Sequence, residues 1–179
     1  MSGDNEKIVR AIAFEYELLV TSNKSFLLTV DLINKNDSSV YQVHIYRAYA
    51  QIIQHLYEFM KAQVAWQLSK TKSEKNEEVK KFIVSCLERL SKNIPEENHS
   101  KENFEEFADD LRIYRNKVSG HVLKERFEEY PLDEFYTKYH VYMVWLMQSA
   151  EEVWSTDYEQ LADNLAIKRF ANLFDFKNC

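Results

Sequence analysis

The chain predicts an all-α fold, an up-and-down helical bundle of about five to six helices. Three observations point to it. Only two glycines, Gly3 and Gly120, and two prolines, Pro95 and Pro131, occur among 179 residues. Sheets closed by tight turns need more of both. Along several segments apolar residues recur at alternating spacings of three and four, the period of one helix face. Short polar stretches separate these segments, as bundle connections do.

The elements follow in order. Residues 4–20 read as a first helix, with Ile8, Ile12 and Leu19 along one side. The polar run 21–25 predicts a break before a short apolar helix over 26–33, and 34–39 reads as a loop. The clearest helix covers 41–69, where Ile45, Tyr49, Ile52, Leu56, Phe59, Gln63 and Trp66 form a packing seam. A charged turn at 71–76 precedes a shorter helix marked by Val79, Phe82, Ile83, Cys86 and Leu90, which Pro95 ends. From about Lys101, Phe104, Phe107, Leu111, Tyr114, Val118 and His121 form the next seam. Pro131 is placed as the first residue of the following helix, a position proline favours. Its row is Leu132, Tyr136, Tyr139, Met143, Leu146, Ala150 and Val153. The stripe Tyr136, Tyr139, Tyr142, Met143, Trp145 and Leu146 is apolar on more than one face; most of it reads as core, and its excess width suggests a second buried surface, as at a helix-to-helix dimer interface. A last helix is expected over 158–174, with Leu161 and Leu165 facing inward. With no internal repeat, residues 1–179 read as one domain.

Charge and cysteines bound the function. The net charge of −6 does not suit a general nucleic-acid binder, but the local field decides such matters. Residues 96–110 hold seven acids and one lysine, whereas 112–126 hold five basic residues and one acid. Cys86 and Cys179 make no disulfide framework and no metal spacing, which fits a reducing compartment. No apolar run is long enough for a membrane span, and the N-terminus is polar, unlike a secretory signal. A cytoplasmic protein with no membrane contact is the expectation.

The basic half contains Arg115-Asn116-Lys117-Val118-Ser119-Gly120-His121. RNA carries its own nucleophile, the 2′-hydroxyl. A neutral histidine can remove that proton near neutral pH, and a guanidinium can clamp phosphoryl oxygens as charge develops. Asn116 would orient a partner, the imidazole among them, or bond the ribose. Such a site needs no metal and leaves 2′,3′-cyclic phosphate and 5′-hydroxyl ends. The competing reading is a seam histidine bonded in the core, with Arg115 in a surface salt bridge. On one straight helix, six residues separate the two side chains by about 240°. Either Gly120 bends the helix or a second protomer completes the pair.

This motif, set in the penultimate long helix of an all-helical chain, resembles the signature of the HEPN superfamily (higher eukaryotes and prokaryotes nucleotide-binding domains), Arg followed after four to six residues by His. The flanking stretches Phe107–Tyr114, Leu132–Trp154 and Tyr49–Trp66 look similar as well. The resemblance covers a core of about residues 41–154, with 1–40 as an N-terminal helical extension and 158–174 as a C-terminal helix; only the motif is specific. It implies a HEPN-like homodimer with two motifs at the interface. Family members act as metal-independent endoribonucleases in toxin–antitoxin or phage-defence systems, while others are non-catalytic modules that bind nucleotides, RNA or protein. Carried over, Arg115 and His121 are catalytic and Asn116 supporting, with RNA as substrate and an antitoxin or regulatory protein as partner.

Arg112, Lys117, Lys124 and Arg126 would guide RNA by its phosphates, or form a solvated face balancing the acidic run. Tyr114 and Tyr130 are candidates for base stacking, but Tyr114 lies on the seam, where packing is the stronger reading. Glu96-Glu97-Asn98-His99 is a single Glu-x-x-His, and a di-iron bundle needs two. His44, His55 and His140 lack paired ligand spacing, and no phosphate-loop motif occurs. No cofactor is expected.

Overall fold

The computed structural model describes residues 3–35, 38–68, 76–92, 100–119, 128–155 and 157–172. Among the described residues every regular element is helical and no strand occurs. In chain order they are α1 (Gly3–Lys35), α2 (Ser39–Gln67), α3 (Asn76–Ser91), α4 (Lys101–Tyr114), a π-helical turn (Arg115–Ser119), α5 (Leu132–Glu151), α6 (Tyr158–Ala162) and α7 (Leu165–Ala171). No helix is long and apolar enough to cross a membrane among the described residues.

The break expected at 21–25 is absent, and α1 runs through it. Leu19, Ser22 and Phe26 are buried at helical spacing, so packing along α2 overrides the weak helix preference of the polar run. The Thr29 hydroxyl donates to the Ser25 carbonyl at 2.7 Å, removing an unpaired donor from a buried face.

Helix α2 is the axle of the bundle. It packs against α1, α3, α4, α5 and the π turn. The predicted row Tyr49, Ile52, Leu56 and Phe59 is buried, and so is a second row of Ile53, Tyr57, Met60 and Val64. Two buried rows are what a helix enclosed from both flanks requires. Trp66, at the end of the predicted seam, instead stands 43% exposed.

Helices α3, α4 and α5 build the second flank. Ser100 caps α4 by accepting from the Asn103 backbone N–H at 3.2 Å. Phe107 is fully buried, and its ring lies 5.3 Å from Tyr139 and 5.5 Å from Tyr142. Truncating such a side chain to alanine costs about 3–5 kcal/mol. Polar clamps lie outside this core. Lys80 meets Asp109 at 2.7 Å, Lys138 meets Glu106 at 2.6 Å, and the Tyr139 hydroxyl donates to Asp110 at 2.6 Å. Burial and that bond push the Tyr139 phenol well above its ordinary pKa.

Three expectations need correction. Pro131 is the N-cap of α5, not its first helical residue, because its backbone is extended at φ −68°, ψ 124°. The α5 stripe is core, in line with the expectation for most of it, and its excess width does not form a second, outer face. Tyr139, Tyr142, Met143, Trp145 and Leu146 are buried within the chain, and of the stripe only Tyr136 is exposed. The last helix is two short ones, since Asn164 caps α7 by accepting from the Ala166 N–H at 2.9 Å. The restart changes the helical phase, so Leu161 is buried while Leu165 is 61% exposed.

Candidate functional site

The motif begins where α4 changes geometry. After Tyr114 the backbone widens into the π turn, which accommodates more residues per turn than an α-helix and is often found at functional sites. Val118 is 1% exposed and anchors the turn in the core. Arg115, Asn116 and Lys117 are thereby left half-buried at the rim.

Arg115 is held from three directions. Its Nη1 donates to Asn116 Oδ1 at 2.7 Å, and its Nη2 makes a close ion pair with Glu58 of α2. The guanidinium carbon lies 5.9 Å from the centre of the Tyr57 ring, within cation–π range. The arginine side chain is 33% exposed and the glutamate 22%, so the pair is shielded but still reached by solvent. Two of the five N–H donors of a guanidinium are engaged by these side chains. Asn116 thus braces the arginine in this position. Glu58 and Tyr57 were not foreseen. Glu58 lies 57 residues away in the chain, and no local spacing signals such a partner.

The remaining predicted residues are spread around this point. Lys117 sits 5.9 Å from the Tyr130 ring centre. Arg112 lines a polar cavity of about 160 Å³ with Asn76, Lys80 and Tyr57. The Tyr114 ring is packed at 4.5 Å from Phe135 and 5.7 Å from Tyr130, and its hydroxyl donates to the Pro131 carbonyl at 3.3 Å. Burial first, then the charge of Asp110, pushes its pKa up to about 12. Tyr114 is therefore a packing residue. His121, Lys124 and Arg126 lie outside the described residues, as do Gly120, the Glu96–His99 run and Cys179.

No family model, curated protein or solved structure matches this chain.

Two of the scattered histidines have structural partners. His55 Nδ1 lies 3.0 Å from Glu15 Oε2, joining α2 to α1. His140 stacks on Tyr136 with centroids 4.3 Å apart and shares a 3.3 Å hydrogen bond with the Tyr49 hydroxyl. Burial lowers its pKa below 6.5, which favours the neutral ring. No cluster of metal-ligating side chains occurs among the described residues.

Proposed function

We propose that this chain is a HEPN-like, metal-independent endoribonuclease of a toxin or defence system, working as a homodimer. The observation that carries the reading is the fixed guanidinium of Arg115 on the π turn, oriented by Asn116 and Glu58. Pre-set orientation is what a phosphate clamp needs, because little reorganisation is left for the transition state. Arg115 is the clamp, Asn116 its positioning residue, and His121 the general base or acid for 2′-hydroxyl attack. Arg112 and Lys117 flank the clamp as cations for RNA phosphates, with Lys124 and Arg126 extending the same basic segment. Leu27, Leu28, Leu32, Val40 and Val43, exposed near the junction of α1 and α2, offer apolar surface for self-association.

The test is cleavage of mixed cellular RNA in chelator by the wild type, Arg115→Ala and His121→Ala. Cleavage leaving cyclic phosphate ends, lost in both variants while both stay folded, supports the assignment. Relief of growth inhibition by His121→Ala in cells expressing the chain would support the toxin role.

The ion pair with Glu58 also favours a second reading. A guanidinium already matched by a carboxylate can be a structural tie between α2 and the π turn. The chain is then a non-catalytic helical module for a nucleotide, RNA or protein. Absence of cleavage by folded wild type, with partner binding indifferent to His121→Ala, selects it.

A further inference from the structure

A second candidate site lies along α2 from Phe59 onward, where the helix ends beside α3 and the close of α5. A cleft of about 470 Å³ opens there, lined among others by Gln63, Trp66, Phe82, Arg89, Ser149 and Trp154. Its apolar part is aromatic and ordered. The Trp154 ring stands edge-on to Phe59 at 6.1 Å and to Trp66 at 6.3 Å, with interplanar angles of 87° and 78°. The two indoles form a right-angled corner. Trp66 remains 43% exposed, an unusual outlay for the largest apolar side chain unless its surface is used.

Among the described residues of its lining Arg89 alone is charged; it is exposed at the rim, and no described carboxylate pairs with it. Around the corner, Gln63 and Ser149 add neutral groups able to donate or accept. Gln63 holds only a weak bond to the Met60 sulfur at 3.9 Å. Cys86 also lines the cleft, and burial pushes its thiol up, away from the thiolate that covalent capture would need. The cleft exposes polar and apolar surface in about equal parts, and its aromatic walls beside a cation are features that a small-molecule site can use.

We propose that this cleft binds a planar aromatic molecule carrying an acidic group, its ring against the Trp66–Trp154 corner and its acid on Arg89. The acid is a phosphate or a carboxylate, both of which a guanidinium accepts bidentately. The site shares none of Arg115, Asn116 or Glu58, so it stands whether or not the chain cuts RNA.

Two of the three tryptophans line the cleft, so intrinsic fluorescence reports on it directly. Full-length protein is titrated at pH 7 with adenosine 5′-monophosphate and 2-naphthoate as acidic probes, and with adenosine and 2-naphthol as neutral counterparts. Saturable quenching by an acidic probe, tighter than by its neutral counterpart, is the expected result; which acid binds more tightly identifies the head group. Arg89→Gln should weaken the preferred acid about 10–100-fold, the range for a hydrogen bond to a charged group, and leave the neutral probe unchanged. Trp66→Ala should weaken both members of a pair about tenfold through lost stacking. Both positions are exposed, so the variants should keep the wild-type circular dichroism and melting transition. No saturable quenching by either acid at several millimolar, equal affinity for acid and neutral probes, or wild-type affinity in Arg89→Gln would each overturn the proposal.

Discussion

Two tyrosines of α2 each receive a basic side chain from a distant part of the chain, and the two pairs differ in what surrounds the base. Tyr57 lies under the Arg115 guanidinium, which Glu58 from the same helix meets with a carboxylate. Tyr49, two turns earlier, bonds to His140, and that ring is surrounded by Phe26 and Tyr136. Both tyrosines are 4% exposed. The two tyrosines are alike in burial, so the difference lies in the base that each one meets and in what surrounds that base. At the first point the guanidinium is matched by the Glu58 carboxylate. The imidazole can lose its proton, and burial among rings drives it to do so. Under the proposed function the first point would meet a phosphate; the second holds α2, α1 and α5 together.

The comparison can be broken most decisively by activity. If the ribonuclease reading holds, Arg115→Ala should lower cleavage by about 10²–10³-fold, the range for losing a transition-state donor. His140→Phe should leave cleavage near wild type. Equal losses in both variants, measured at matched folded fractions, would remove the distinction between a working cation and a packing ring.

A smaller effect belongs to stability. Glu58→Ala strips the carboxylate from a shielded but hydrated guanidinium, and should cost about 1–2 kcal/mol in urea unfolding. Combined with Arg115→Ala, a double-mutant cycle should show positive coupling between the two positions. Zero coupling would mean that Arg115 is oriented by Asn116 alone. Smaller still, Tyr49→Phe removes one neutral hydrogen bond to His140, for an expected loss of about 0.5–1 kcal/mol.

The subtlest contrast is with pH. A histidine with a lowered native pKa binds fewer protons in the folded state than in the unfolded one. Its contribution is complete above the unfolded value near 6.5 and declines as pH falls toward the native one. Melting temperature measured from pH 8 to pH 5.5 should therefore drop less steeply in His140→Phe than in the wild type. Identical slopes would show that His140 is not a source of the acid sensitivity.

Much of the fold was legible because it depends on period. The rows through Tyr49–Phe59 and Phe104–Leu111 could be read directly, since each residue on them faces the same neighbour. The polar run at 21–25 misled because local preference is weaker than the packing of Leu19, Ser22 and Phe26 on α2. The site was legible only in part. Arg115 and Asn116 stand together in the chain and bond to each other, so the motif carried that half. Glu58 and Tyr57 come from another helix, brought there by tertiary packing that no spacing encodes. The π turn was hidden for a different reason: a row of 3.6-residue steps passes through Tyr114 and Val118 without showing that the backbone between them has widened.

The short link between α1 and α2 bears on the order in which the protein assembles. Residues 36–38 join two long helices that lie against each other, so bringing them together closes only a small loop. Contacts between chain neighbours form early, whereas Glu58 must wait for Arg115 to arrive from 57 residues away. The first hairpin is thus the natural nucleus. Substitutions at Leu19 or Leu56 should slow refolding, while Glu58→Ala should chiefly hasten unfolding. The chain would acquire its frame first and its arginine cluster last.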